Sequence, residues 1–188
     1  MTDIRTPVRD TRTEILDVAS ELFTEKGYDA TSLREIAERL GITKAALYYH
    51  FRSKDDILRA LLEPMNTVVT ELLERLEAAP DVAGWVDALD WVIGMVFQNV
   101  AFFRLIERNR HVMEELRETL LGDHVELHER VQAAVHAAAN DVAQEIRMFA
   151  ALGAVTAFDD WAPKLLADGP HDVIASELRA VVRAILGA

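Results

Sequence analysis

Residues 44–54, KAALYYHFRSK, gather the side chains best able to do chemistry in this sequence. At helical spacing Lys44 and Tyr48 form one i, i+4 pair, and Ala45 and Tyr49 a second. Leu47 and Phe51 form the opposite pair, which packs inward. The face left outside carries an ammonium, a methyl and two phenols. Lysine and tyrosine of this kind reach phosphate oxygens or base edges, and a methyl-sized residue lets a helix approach DNA and meet a thymine methyl. Ser53 and Lys54 follow at the start of the next helix, where free amides and the helix dipole favour phosphate. The competing reading of YYHF is a packed aromatic core. It holds for Leu47 and Phe51 but not for Tyr48 and Tyr49, while His50 is open between a phosphate contact and an internal hydrogen bond.

Other chemistry is poorly supplied. There are no cysteines and four serines: Ser32 and Ser53 read as helix caps, and Ser20 and Ser176 lie inside helical patterns without a nucleophile elbow. Glycines are at least ten residues apart, so no phosphate-cradling loop can be written. His124 and His128 stand at i, i+4 and could share a metal, but their glutamate is misplaced for a metalloprotease motif. The expectation is no enzyme, no catalytic residue, no metal and no cofactor.

Charge narrows the reading further. The chain has 188 residues and a formal net charge of −12, which alone argues against a polyanionic partner. From Ser32 to Lys54, however, the basic residues Arg34, Arg39, Lys44, Arg52 and Lys54 outnumber Glu35 and Glu38. A local basic face on an acidic body can still meet DNA, with the body repelling misdocked orientations. The polar N-terminus lacks the apolar segment of a signal peptide, and no run approaches the roughly 18 apolar residues of a membrane helix. A cytoplasmic protein with no membrane partner is expected.

The elements that must position these residues are helices. Five prolines and eight glycines are spread over the chain, and no strand-like alternation appears. Thr11 and Glu14 have capping-box spacing before a helix that Gly27 ends. Ser32 and Glu35 open a second helix, closed by Gly41, and Thr43 caps a third. Ser53 and Asp56 cap a fourth, which Pro64 should kink. Two helices joined by a short glycine-containing turn form a helix-turn-helix, whose second helix enters the major groove.

The stretch GYDATSLREIAERLGITKAALYYHFRSKDDIL resembles the N-terminal signature of the TetR family of bacterial transcriptional regulators. The likeness runs from about Ile15 to Leu62, with Gly27-Tyr28, Thr31, Ile36-Ala37, Gly41, Leu47-Tyr48, Tyr49-His50-Phe51 and Lys54 in register. Ala45 departs from a frequent glycine but stays small. The resemblance implies DNA contacts, largely to phosphate, at Lys44, Tyr48, Tyr49, His50 and Lys54. It also implies an all-helical homodimer with a ligand pocket in the C-terminal domain. The candidate DNA contacts are Ser32, Arg34, Thr43, Lys44, Ala45, Tyr48, Tyr49, His50 and Lys54.

Further helices are expected at about 81–99, 100–109, 111–121, 124–139, 141–166 and 171–186. The run WVDALDWVIGMVFQNVAFFRLI is apolar on nearly every face and reads as buried. Trp85, Trp91, Met95, Phe102 and Phe103 are candidate lining for an apolar ligand cavity, with ordinary core packing as the rival reading. Gln98, Asn99 and Asp90 would be polar groups inside that run in need of partners or a ligand. His128 completes the candidate pocket.

The last two helices read as a subunit interface built from Phe149, Leu152, Val155 and Phe158 with Ile174, Leu178, Val181 and Ile185. The fold expectation is therefore all-α: a helix-turn-helix domain over 9–69, with its motif at 32–51, then a helical ligand-binding and dimerisation domain over 70–188. The functional expectation is a homodimeric regulator, most simply a repressor, released from a palindromic double-stranded DNA operator by a small apolar or amphipathic effector. The alternative is a helical ligand-binding or scaffold protein whose helix-turn-helix is architecture only.

Overall fold

The computed structural model describes residues 10–112, 124–156, 165 and 168–188, and the described residues are helical with no strand among them. The helices are α1 (Thr11–Glu25), α2 (Leu33–Leu40), α3 (Lys44–His50), α4 (Lys54–Ala78), α5 (Val82–Gln98), α6 (Val100–Arg108), α7 (His124–Ala138), α8 (Val142–Thr156) and α9 (His171–Leu186). The expected helix at 111–121 and the last third of the one expected at 141–166 fall largely outside the described residues. The chain divides into two compact units, Met1–Pro64 and Met65–Ala188, so both that division and the expected boundary after residue 69 fall within α4.

In the first unit, local capping chemistry sets the helix ends. Ser32 accepts from the Glu35 amide at 3.2 Å and Thr43 from the Ala46 amide at 3.1 Å. Between them Gly41 takes φ +68°, the left-handed conformation that closes α2 and turns the chain into α3. One expectation is corrected: α1 is capped by Asp10, whose carboxylate accepts from the Arg12 amide, so Thr11 is already helical. Aspartate and threonine both cap well, and Asp10 has the extended backbone, φ −63° and ψ 134°, that a cap residue adopts. Ile15, Ala19, Leu22, Phe23, Ile36, Leu47, Phe51, Ile57 and Leu58 are buried. The apolar stripes of all four helix segments thus close one small core.

α4 continues through Pro64 as a single helix into the second unit. There Leu72, Leu76, Trp85, Leu89, Val92, Ile93, Val135, Met148, Val182 and Leu186 form the core shared by α4, α5, α7, α8 and α9. Gly84 permits the tight turn from α4 into α5, because a Cβ there would lie 2.9 Å from that of Ala79. Across the surface, Arg130 of α7 grips the Glu77 carboxylate with two hydrogen bonds of 2.7 and 2.8 Å. Hydrogen bonding from the guanidinium, and then its charge, holds the Glu77 carboxyl below the ordinary carboxylate range.

Candidate nucleic-acid interface

α3 has one buried side chain, Leu47, which fixes the rotation of the helix. Lys44, Ala45 and Tyr48 are exposed, and Tyr49 is 87% exposed, far above what a core aromatic would show. The Lys44 ammonium lies 5.4 Å from the Tyr48 ring centroid, a cation–π contact that orders both without occupying the amine's donors. His50 meets Tyr49 edge to face at 5.2 Å. These four residues therefore make one continuous polar and aromatic surface. Thr43 is exposed beside it and spends its hydroxyl on the α3 cap.

α2 contributes less free charge than its sequence suggests. Arg34 is tied to Glu38 by an i, i+4 ion pair at 2.7 Å, and Lys26 donates to the Glu35 carboxylate. That hydrogen bond lowers the Glu35 carboxyl from its ordinary range, and Glu38 likewise raises the Arg34 guanidinium. Ser32 is exposed at the start of α2 with its Oγ engaged as the cap.

Lys54 differs from the other expected contacts. Its ammonium donates to the carbonyls of Tyr28, at 2.5 Å, and Thr31, at 3.0 Å. It also lies 4.0 Å from the Tyr28 ring centroid. The Tyr28 hydroxyl donates to Asp55, and burial first, then that bond, raises the phenol above its ordinary range. Sequence spacing could not show this, since the partners are 26 and 23 residues apart.

The expected pocket residues do not behave alike. Trp85 is fully buried, and its Nε1 has no hydrogen-bond partner among the described residues. Phe103 is buried and stacks edge to face on Phe102 at 5.7 Å. Met95 is half-buried, and Trp91 is half-buried under the Arg75 guanidinium, 4.3 Å from its ring centroid. Gln98 and Asn99, read as interior polar groups, are corrected to exposed ones, and His128 is exposed as well. α5 ends at Gln98, so the polar pair sits at the break before α6, where Asn99 Nδ2 donates to the Met95 carbonyl at 2.9 Å. Asp90, read as an interior polar group, is half-exposed and is held by Arg179 of α9 at 2.7 Å. Among the described residues no three histidine, aspartate or glutamate side chains converge as a metal site.

Of the expected interface residues, Phe149 and Val181 are exposed, and Leu152, Val155, Leu178 and Ile185 are half-buried against the core of their own unit. Phe158 lies outside the described residues. Ile174 is corrected to an interior residue, since it is already buried within the single chain. Val142 and Ile146 of α8, not singled out from sequence, are 69% and 63% exposed. With Phe149 they follow i, i+4, i+7 spacing, which was the available signal.

This combination defines a class: a helix-turn-helix module followed by a helical C-terminal unit. Residues 15–61 match the family model for bacterial regulatory proteins of the tetR family. A TetR/AcrR-family transcriptional regulator from Thermobifida fusca is 30% identical over 92% of this chain and 96% of that one, with a TM-score of 0.55. The TetR-family regulator PfmR from Thermus thermophilus is 28% identical, covering 93% of this chain and 97% of the other, with a TM-score of 0.60. The regulator TtgR of Pseudomonas putida is 30% identical over 68% of this chain and 60% of its own length. The chain belongs to the tetR family. It spans between 28% and 60% of the length of TtgR and two other curated relatives it matches. The family is one of bacterial transcriptional regulators.

Proposed function

We propose that this protein is a homodimeric repressor that binds a palindromic operator and is released from it by a small apolar or amphipathic effector. One observation carries the DNA reading: α3 buries Leu47 and presents Lys44, Ala45, Tyr48 and Tyr49 together to solvent. A domain using α3 as scaffold has no reason to expose two phenols and a lysine on one face. Two copies related by a two-fold axis would set two such helices into successive major grooves.

Dimerisation is supported by the exposed Val142, Ile146 and Phe149 of α8. A side chain at Gly153 would meet no described residue within 4 Å, which suits the approach of a close neighbour at that end of α8. The effector reading is supported by the apolar core of the second unit and by the Trp85 indole N–H within it, which has no hydrogen-bond partner among the described residues. An effector with one hydrogen-bond acceptor would satisfy that group. α4 passes from the helix-turn-helix unit into the second unit through Pro64, which gives ligand-driven changes a covalent route to DNA binding. Release needs an effector that prefers the non-binding conformer, with coupling of roughly 1–3 kcal/mol. A cytoplasmic location follows from a DNA target.

Selection of bound duplexes from a random-sequence pool at near-physiological salt, with a Lys44→Ala/Tyr49→Ala protein in parallel, tests this. Enrichment of a two-fold-symmetric site, lost in the double variant, is the expected result. Absence of any enriched site would sink the DNA reading.

A further inference from the structure

We infer that Lys54 is a positioning residue of the helix-turn-helix, holding the turn before α2 against the first turn of α4 rather than reaching a DNA phosphate. The inference rests on the DNA-binding reading above. Resemblance alone implied a phosphate contact, but the ammonium is directed inward. Two of its three donors are spent on the carbonyls of Tyr28 and Thr31, and the Tyr28 ring lies against it. The next residue, Asp55, accepts from the Tyr28 hydroxyl. Two successive residues of α4 therefore grip the turn by its carbonyl edge and by its aromatic ring.

The gripped turn is itself wired. The Thr31 amide donates to the Tyr28 carbonyl at 3.1 Å, and the buried Thr31 hydroxyl is 2.9 Å from the Gly27 carbonyl. Ser32, the next residue, caps α2. Fixing the turn fixes where α2 starts, and α2 leads into α3 through Gly41. The electrostatics agree with the geometry. Burial lowers the Lys54 ammonium from its ordinary range, while the charges of Asp29 and Asp55 act on it in the opposite sense. A phosphate brought to Lys54 would face those two carboxylates. Lys44 is exposed and has an aromatic ring for its neighbour.

Acetylation of the intact wild-type protein with acetic anhydride, read by mass spectrometry with and without the enriched duplex, separates the two roles. Duplex should slow labelling of Lys44 by about tenfold and leave Lys54 nearly unchanged, as only a residue at the interface is shielded. Protection of Lys54 equal to that of Lys44 would overturn the inference. Lys54→Met should weaken DNA binding without changing the slope of log K against log salt, whereas Lys44→Met should lower that slope by about 0.9. A matching fall for Lys54→Met would also overturn it, and if that variant does not fold the acetylation result decides. Should wild type bind no duplex, the regulator reading fails separately. The clamp is then judged by amide exchange in Lys54→Met. Exchange of residues 28–32 about tenfold faster supports it, and unchanged exchange refutes it.

Discussion

Ser53 and Asp56 cap each other at the start of α4. The Asp56 amide donates to Ser53 Oγ at 3.0 Å, and the Asp56 carboxylate accepts from the Ser53 amide at 3.1 Å and from the Arg52 amide at 3.1 Å. Three backbone donors that the helix start and its preceding turn would leave open are thereby satisfied. Asp56→Ala should destabilise the first unit by about 1 kcal/mol. Urea unfolding of both proteins, followed by amide exchange over residues 52–62, measures it, and equal midpoints would refute the cap's contribution.

Much of the helix-turn-helix was legible because its signals are local. Gly41, Thr43 and Ser53 act on amides within a few residues, so composition and spacing suffice to find them. The inward turn of Lys54 was not legible, since it depends on carbonyls brought close only by the packed fold. Gln98 and Asn99 misled for another reason. The helix end near residue 99 could be read from sequence, but an apolar run does not say which of its polar residues sits at the break. Ile174 shows the same limit: an apolar stripe on α9 establishes that something covers it, not whether the cover is the chain's own α5 and α8 or a partner subunit.

The buried Tyr28 phenol gives an alkaline signature. Burial and the bond to Asp55 raise its folded value above the ordinary tyrosine range. The protonated phenol is therefore favoured by folding, and its stabilisation is fully present below the unfolded value near pH 10 and lost as pH rises through the folded one. The difference in tyrosinate absorbance between wild type and Tyr28→Phe should rise only above that ordinary range. Tyr28→Phe should also unfold less readily at high pH than wild type, relative to each protein's stability at neutral pH. A difference spectrum with its midpoint near pH 10 would contradict the buried hydrogen bond.

The α8 surface makes a prediction about assembly. Val142, Ile146 and Phe149 present an apolar row to solvent within one chain. Placing a charge in a desolvated interface without a partner costs several kcal/mol, so Ile146→Glu should convert a dimer into folded monomers. Sedimentation gives the mass, and circular dichroism checks the fold. A variant of unchanged mass at micromolar concentration would move the interface elsewhere.

Glu38 restrains the charge that α2 can offer to DNA. Its carboxylate holds Arg34 at 2.7 Å, on the helix that in such motifs crosses the DNA backbone. An exposed i, i+4 pair contributes little to the fold, so breaking it should leave stability nearly unchanged. Glu38→Gln removes one negative charge facing the polyanion and frees the guanidinium for a phosphate. Affinity for the enriched duplex should rise several-fold at low salt, and the salt slope should steepen by about 0.9 for one added phosphate contact. Fluorescence anisotropy over a salt series reads both quantities. Arg34→Ala should abolish the gain in the double variant, because the freed arginine is its source. If Glu38→Gln tightens binding with no change in slope, the effect is general charge relief and Arg34 does not reach the DNA.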